Sequence, residues 1–427
     1  MTINLPYGTS GMAFRLPPDT DVEILESQAS GIRVDGSEDE IVTQAMSDPI
    51  LSPTLTELAR GASNAVIICS DHTRPVPSKR ILPHMLRELR LGNPEIDITL
   101  LISTGCHRAP TQDELLGKFG DEIMAREKIL VHDCGDTENL VQIGVLPSGA
   151  PLVINKIAEQ AELLLAEGFI EPHFFAGFSG GRKSVLPGIC GRETVLGNHC
   201  AEFIAHPNAR TGVLEDNPIH RDMCAAVGMS GISYIVNVII NARKEVVAAF
   251  AGHPLQAHEA GCERLLEMCC VKPSRLGDIV ITSNAGAPLD QNIYQAVKGM
   301  TAAESAAAPG AVIIICAECA DGTGGDDFYH LMRDCESPAE LLERIAKVSQ
   351  KDTVPDQWQA QILARVLAQH EVILVCAEEA AVFARQMKMR TAASLDQAFA
   401  YALEIKGNFA KVTVIPDGVA VIVGAVR

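Results

Sequence analysis

The sequence Ala65-Val-Ile-Ile-Cys-Ser70-Asp-His-Thr-Arg-Pro75 joins an unbroken apolar run to a short polar loop, and residues 78–90 follow it. Within residues 78–90 the apolar side chains recur at helical spacing, as at Ile81, Met85 and Leu89. A strand that is apolar on both faces is typical of a parallel sheet covered by helices. This stretch therefore predicts a strand, a loop and a crossover helix of an α/β domain.

The same alternation recurs along the chain in two sets. The first set continues with strands predicted near residues 96–103, 129–132 and 162–166. The second set begins near residue 275, with strands predicted at residues 278–283, 311–316, 372–376, 411–416 and 419–423 and helices at residues 292–308, 338–349, 356–370 and 394–406. A helical pattern at residues 255–268 lies between the sets. We therefore predict two α/β domains with mainly parallel sheets, residues 1–270 and 271–427, and an active-site cleft between them.

The overall charge and the cysteine usage limit the possible partners. The 427 residues carry a formal net charge of −19, which argues against nucleic-acid and membrane partners because both are anionic. The amino terminus lacks a leader pattern and the apolar runs are too short for a membrane span, so we expect a cytoplasmic protein. Thirteen cysteines, an odd number, fit reduced thiols better than a disulfide framework. The one CxxC, Cys316-Ala-Glu-Cys319, is interpreted as structural.

Polar clusters follow the first two predicted strands, where α/β domains build their sites. Asp71, Thr73 and Arg74 come first, and Arg74 offers a planar fork to an anion. The alternative is an ordinary capping loop, since Asp and Thr are good helix caps. His107 follows the second strand and suits either a general base or a surface loop.

The densest cluster runs from residue 168 to residue 188 and contains His173 and Lys183. Its glycine-rich part is superficially similar to a P-loop, but Arg182 stands where the second glycine should precede the lysine, which excludes an ATPase interpretation. A lysine in a glycine-rich, partly apolar loop can have a lowered pKa and act as a nucleophile. The alternative is a surface turn whose basic pair is only solvated.

His199, in Gly197-Asn-His199, suits a metal ion such as nickel, copper or zinc, although one histidine specifies no metal. His206 and His220 are expected in loops because Pro and Asn stand near them. The glycine-rich residues 321–325 would form either a phosphate cradle or a simple turn.

Tyr294, Gln295 and Lys298 lie in the first turns of a predicted helix. Residues three and four positions apart share one face of a helix, and a helix N-terminus attracts anions. These residues therefore suit an anion site, with an ordinary solvated face as the alternative.

Together these clusters resemble the nickel-dependent lactate racemase family, the 2-hydroxy-acid racemases and epimerases that use a nickel pincer nucleotide. The resemblance covers nearly the whole chain, from Leu5-Pro-Tyr-Gly8 onward, and it depends on the order of several motifs. These motifs are Ser70-Asp-His-Thr-Arg-Pro75, Thr104-Gly-Cys-His107, Glu171-Pro-His173, Gly180-Gly-Arg-Lys183-Ser184, Gly197-Asn-His199 and Tyr294-Gln-Ala-Val-Lys298.

The resemblance implies a cofactor, Ni-pyridinium-3,5-bisthiocarboxylic acid mononucleotide, which separate biosynthesis enzymes make and whose sulfur-containing arms hold nickel. It implies that Lys183 forms a covalent thioamide link to this nickel pincer nucleotide. His199 would ligate the nickel. Asp71 and Thr73 would lie on the cofactor-binding loop.

The resemblance also implies a reaction. His107 and His173 would be the acid/base pair, while hydride leaves C2 of a 2-hydroxy acid and returns to the other face of a planar 2-oxo acid. Arg74 and Lys298 would hold the carboxylate of this small anionic substrate. The substrate side would be lined by Tyr294 and Gln295.

Two alternatives stay open beside racemisation of lactate or a related acid. One is a relative that acts on a larger hydroxy acid, such as a dicarboxylate, an aromatic acid or a sugar acid. The other is a nickel- or nucleotide-binding protein without turnover, which the presence of both His107 and His173 disfavours. A dehydrogenase that uses diffusible NAD is disfavoured because no GxGxxG follows the first strand.

Overall fold

The computed structural model describes residues 1–27, 32 and 36–425. Its strands are β1 (Thr2–Leu5), β2 (Met12–Arg15), β3 (Val22–Ile24), β4 (Asn64–Ser70), β5 (Asp97–Ser103), β6 (Lys128–Val131), β7 (Leu140–Val145), β8 (Pro151–Asn155), β9 (Leu163–Phe169), β10 (Pro172–His173), β11 (Gly177–Phe178), β12 (Ile232–Ile240), β13 (Val246–Gly252), β14 (Cys270–Val271), β15 (Gly277–Ser283), β16 (Ala307–Cys316), β17 (Glu371–Val375), β18 (Arg390–Ala392), β19 (Val412–Ile415) and β20 (Ile422–Val423).

The α-helices alternate with these strands through most of the chain. They are α1 (Glu38–Ser47), α2 (Leu55–Ala59), α3 (Ser78–Gly92), α4 (Gln112–Phe119), α5 (Asp121–Arg126), α6 (Lys156–Glu159), α7 (Arg192–Asn198), α8 (Ala201–Ala205), α9 (Pro218–Ser230), α10 (Gln256–Cys269), α11 (Ile293–Ala306), α12 (Asp326–Arg333), α13 (Pro338–Ile345), α14 (Gln357–Gln369), α15 (Glu378–Gln386) and α16 (Leu395–Lys406). None of the helices in the described residues combines the length and apolarity that crossing a bilayer requires.

The first of two six-stranded sheets has the order β13-β12-β9-β4-β5-β6 and is parallel except for β13. Central strand β4 is buried on both faces: Ile67 packs in one core with Ile81 of α3, and Ile68 packs in a second core on the other face. This arrangement confirms the strand, loop and crossover helix predicted from residues 65–90.

The second sheet has the order β18-β17-β16-β15-β19-β3 and is parallel throughout. Its edge strand β3 comes from the start of the chain, where Val22 pairs with Val412. The β1–β2 hairpin packs on the same sheet through Ile3 and Phe14. The expected α/β class with mainly parallel sheets is confirmed, while the division at residue 270 stays a prediction.

A single large core joins the two sheets. It contains Ile68 of the first sheet and Ile313 of the second, with the apolar side chains of residues 146–227 between them. Side-chain hydrogen bonds cross the same junction, since Gln350 Nε2 donates to the carbonyl of Gly197 at 3.1 Å and Gln361 Nε2 donates to that of Ala201 at 2.8 Å. These bonds hold α14 and the 3-10 turn before it against helices α7 and α8.

Candidate active site

A cavity of about 350 Å³ lies between the loops that follow β4, β5 and β9 and the first turns of α11 and α14. Its volume is in the range usual for small-molecule sites. Most of the predicted site residues line it, from both halves of the chain. They are Asp71, Arg74, His107, His173, Lys183, His199, Tyr294, Gln295 and Lys298.

Asp71 and His107 form a hydrogen-bonded pair at the ends of neighbouring parallel strands. His107 Nδ1 lies 2.8 Å from Asp71 Oδ2, and Asp71 is only 2% exposed. Burial alone would raise the pKa of Asp71, but the hydrogen bond and charge of His107, together with the charge of Arg74 and the hydrogen bond from Thr73, lower this pKa to about 2. A carboxylate at Nδ1 assigns the hydrogen to that nitrogen and leaves the Nε2 lone pair for a proton.

Thr73 lies outside the cavity wall and acts on the same carboxylate. Its hydroxyl donates to Asp71 Oδ1 at 2.6 Å, and its backbone N–H donates to the same oxygen at 3.0 Å. Thr73 therefore fixes the Asp71 side chain in the loop after β4. Its predicted place on a cofactor-binding loop stays a prediction.

His173 has a different environment. The backbone N–H of Ala176 donates to its Nδ1 at 3.3 Å, so the neutral ring carries its hydrogen on Nε2. Burial, followed by the charges of Lys183, Lys298 and Arg74, holds the pKa of His173 well below its usual range. The imidazole is consequently neutral at physiological pH.

Lys183 lies in a 3-10 turn, Gly181–Ser184, at the end of the glycine-rich loop. Burial is the main cause that holds the pKa of its amine well below the usual value, and the charges of Arg182, Arg74 and Lys298 add to it. The amine lies 5.7 Å from the centre of the Phe175 ring. This environment favours a neutral, nucleophilic amine.

His199 is 4% exposed and follows helix α7. Its Nδ1 lies 2.9 Å from the carbonyl of Val195, which assigns the hydrogen to Nδ1 and leaves the Nε2 lone pair free. Burial, with the charge of Lys183, lowers the pKa of His199 to about 3. The rings of Phe175 and Trp358 each pack edge-on against the imidazole at 5.1 Å. A neutral imidazole with a fixed tautomer has the properties of a metal ligand.

Arg74 and Lys298 reach the cavity from the two halves of the chain. Burial, followed by the charge of Arg74, lowers the pKa of Lys298 to about 8, and the carboxyl group of Glu171 opposes this. Glu171 faces Lys298, Arg74 and Lys183 together. An anion bound between Arg74 and Lys298 would be held by two positive charges.

Tyr294 and Gln295 occupy the first turn of α11, as predicted. Trp358 Nε1 donates to the Tyr294 hydroxyl at 3.1 Å, and burial is the main cause that raises the pKa of Tyr294. Gln295 Oε1 is buried with no hydrogen-bond partner among the described residues. The chain's single tryptophan therefore belongs to the cavity wall, although no motif pointed to it.

The glycine-rich residues 321–325 form a turn at the start of α11. The backbone N–H groups of Ile293 and Tyr294 donate to the carbonyls of Gly322 and Thr323 at 2.9 and 3.0 Å. The turn therefore holds the helix that carries Tyr294 into the cavity wall. Cys316 and Cys319 beside it are buried free thiols, in line with the structural interpretation.

One expectation was wrong. His220 does not lie in a loop but in the first turn of helix α9, because Asn217 caps the helix and Pro218 begins it. Pro is well tolerated at the first helical position, so the residues that suggested a loop mark the start of a helix instead.

Comparisons with known proteins give the family. Residues 7–212 match the family model "Lactate racemase N-terminal domain", and residues 272–423 match "Lactate racemase C-terminal domain". The chain is 51% identical over 421 residues to lactate racemase of Thermoanaerobacterium thermosaccharolyticum, covering 99% of each chain. It is 47% identical over 423 residues to lactate racemase of Lactiplantibacillus plantarum, covering 99% of this chain and 100% of the relative.

Solved structures agree with this. The lactate racemase apoprotein of T. thermosaccharolyticum superposes with a TM-score of 0.96 at 50% identity, covering 99% of this chain and 100% of the other. A Thermotoga maritima protein superposes with a TM-score of 0.68 at 18% identity over 92% of this chain and 100% of the other, which shows the shared fold alone. With both family models and full-length relatives matched, the chain belongs to the lactate racemase family and is an isomerase.

Proposed function

We propose that this chain racemises lactate with a nickel pincer nucleotide tethered to Lys183. The observation that carries the proposal is that a carboxylate-paired histidine, a second histidine and two cationic side chains line one cavity. Relatives of 47% and 51% identity over almost the full chain are lactate racemases, which favours lactate over a larger hydroxy acid.

The cavity residues fit the cofactor. Lys183 offers a neutral amine for a covalent thioamide link, and His199 offers one buried nitrogen lone pair for nickel. The sulfur-containing arms of the pincer would supply the other ligands. When bound, the cofactor supplies a hydride acceptor and donor for C2 of the substrate.

The chain's own residues would bind, orient and exchange protons with the substrate. Arg74 and Lys298 hold the carboxylate from opposite halves of the chain, so that the planar 2-oxo acid stays oriented between the two hydride transfers. His107, whose Nε2 lone pair is fixed by Asp71, takes the hydroxyl proton of one enantiomer.

His173 serves the other enantiomer. Its Nε2 carries the hydrogen in the neutral ring, so it first acts as a hydrogen-bond donor to the substrate oxygen. To accept a proton at Nε2 instead, the neutral ring would have to carry its hydrogen on Nδ1, which would break the 3.3 Å hydrogen bond from the Ala176 N–H. Two bases in different environments are what a reaction that runs both ways requires.

Intact mass and a chiral assay test this function. The protein is co-expressed with cofactor-biosynthesis enzymes, and D- and L-lactate are each supplied and followed by chiral chromatography. We expect a mass increase that Lys183→Ala abolishes and that Lys351→Ala, a change at an exposed lysine, leaves in place. Native protein with neither adduct nor nickel would refute the cofactor assignment, and loaded protein that leaves lactate unchanged would refute the substrate.

A further inference from the structure

Arg182 is a fully buried arginine directly before Lys183, with 0% of its surface exposed. Its guanidinium makes four hydrogen-bond contacts. Nε donates to His220 Nδ1 at 3.0 Å, Nη1 lies 2.9 Å from His258 Nε2 and 3.4 Å from the carbonyl of Gly180, and Nη2 donates to the carbonyl of Ala176 at 2.6 Å. Arg182 therefore ties the glycine-rich loop to helices α9 and α10.

The partners of Arg182 are neutral, which is unusual for a buried charge. Burying an unpaired cation costs several kcal/mol, and proteins normally offset this cost with a carboxylate. Here burial, followed by the charge of Arg182, lowers the pKa of His220 to about 4 and holds that of His258 well below its usual range. The Cys262 and Cys224 thiols could oppose the charge of the guanidinium only if they were ionised, and burial raises the pKa of both thiols, that of Cys262 to about 12. His220 Nδ1 thus accepts a hydrogen of the guanidinium without cancelling its charge, and the neutral His258 ring beside it adds no counter-charge.

Backbone contacts on either side of Arg182 hold the turn that carries Arg182 and Lys183 in place. Gly181 has a φ of +51°, and a Cβ there would lie 2.5 Å from the ring of His258, so only glycine lets the loop approach α10. The N–H of Lys183 donates to the carbonyl of Gly180 at 3.1 Å, and the Lys183 carbonyl accepts from Gly188 at 3.1 Å. The turn consequently holds a buried positive charge on the residue directly before Lys183.

We propose that Arg182 is a positioning residue whose uncompensated charge keeps the Lys183 side chain a neutral amine, ready to form the covalent link to the cofactor. The inference builds on the tether in the proposed function. Condensation of a thiocarboxylic acid with an amine forms the carbon–nitrogen bond, breaks the carbon–oxygen bond and releases one water. Only an unprotonated amine has the lone pair that this step needs.

Other charged groups also act on Lys183, so an experiment must distinguish the effect of Arg182 from theirs. Arg74 from the loop after β4 and Lys298 from α11 act in the same direction as Arg182, while Glu171 from the loop after β9 opposes them. Among the cations, Arg182 has the largest effect on the Lys183 amine. It also lies outside the cavity wall and would not contact substrate, unlike Arg74 and Lys298.

The test measures how Lys183 of cofactor-free protein reacts with acetic anhydride as a function of pH, by peptide mass spectrometry with exposed Lys351 as the internal reference. Arg182→Gln removes the charge, and Arg182→Lys keeps it. His220→Asp leaves Arg182 in place but gives it a carboxylate, and His220→Asn is its neutral control. Arg221→Gln, at an exposed position of the same helix α9, controls for loss of one positive charge elsewhere.

In native protein we expect Lys183 to react with a midpoint at lower pH than Lys351. Arg182→Gln and His220→Asp should each raise that midpoint by about one unit, which makes acetylation at pH 7 about tenfold slower. Arg182→Lys, His220→Asn and Arg221→Gln should keep the native midpoint.

Native midpoints in both Arg182→Gln and His220→Asp would overturn the proposal. If Arg182→Gln does not fold, the midpoint of Lys183 acetylation in His220→Asp alone tests the proposal, and a native midpoint there overturns it. A native protein that shows these midpoints but gains no mass on co-expression would refute the tether and leave the effect of Arg182 intact.

Discussion

Replacing Asp71 by asparagine tests whether the Asp71–His107 pair prepares a base for the substrate hydroxyl. Asparagine keeps the size of the side chain but removes the charge, and its amide can present a hydrogen to Nδ1 instead of accepting one. His107 would then lose the contact that assigns its tautomer. We expect Asp71→Asn to lower kcat about 10²- to 10⁴-fold, the usual contribution of a positioned acid or base.

The structure also gives the size of the effect on stability. The pKa of Asp71 is lowered from 3.8 to about 2, which corresponds to about 2 kcal/mol that favours the folded state when the carboxyl group is ionised. Because the folded pKa is the lower one, this contribution is complete above about pH 4 and is lost as the pH falls towards 2. Native protein should therefore exceed Asp71→Asn in its free energy of unfolding by about 2 kcal/mol at pH 7, and the difference should shrink below pH 4.

The assay is a double-mutant cycle on cofactor-loaded protein, with Asp71→Asn, His107→Ala and the double variant, followed in both directions with D- and L-lactate. If Asp71 acts through His107, the double variant should be little slower than His107→Ala alone. Asp133→Asn, at an exposed position that follows the adjacent strand β6, is the matched control and should keep native activity. A full, additive loss from Asp71→Asn in the absence of His107 would refute the reasoning, because the carboxylate would then act elsewhere.

The remaining predictions concern the metal and the substrate clamp. His199→Ala should lower the nickel content of co-expressed protein at least tenfold, measured by atomic spectrometry, while the mass adduct on Lys183 persists; native nickel content would remove His199 from the metal site. The kcat/KM for lactate should fall as the pH rises through about 8, since burial and Arg74 lower the pKa of Lys298 to about 8 and only the protonated amine attracts the carboxylate. Lys298→Arg should move this decline to higher pH, and an unchanged profile would show that another group titrates there.

Much of the fold could be predicted from local patterns, because the spacing of apolar residues within most strands and helices indicates the type of element. Strand β4 and helix α3 match residues 65–70 and 78–90 within two residues at each end, and each of these two elements was marked by its own run of apolar residues. Strand β3 has three residues, and only its pairing with β19, almost 400 positions away in the chain, makes it a strand. Such long-range pairing leaves no trace in local periodicity, so the contribution of the amino terminus to the second sheet was not predicted.

In the candidate site, too, some residues could be predicted from the sequence and others depend on contacts between distant parts of the chain. The order of the motifs predicted the residues with chemically reactive side chains, including His107 and Lys183. The structure places these residues around one cavity. Trp358 lies within a predicted helix and reaches the cavity only because α14 packs against α8. In the sequence, Arg182 stands out only as a departure from the P-loop pattern. Its significance depends on the neutrality of His220 and His258, which burial creates and sequence spacing does not report.

The protonation states of the site follow from assembly, not from any one motif. Arg74, Arg182 and Lys298 come from three separate segments and lower the pKa of the Lys183 amine, while the carboxyl group of Glu171 opposes them. Burial is the first cause that lowers the pKa of Lys183, His173 and His199, and the charges of neighbouring cations add to it, so that a chain of net charge −19 contains a cavity in which a lysine and two histidines are neutral. Neutral nitrogen is the form that links a cofactor, ligates nickel and takes a proton. In the proposed function Arg74 and Lys298 also attract the anionic substrate, so substrate binding and the neutral state of these nitrogens would both depend on the same two cations.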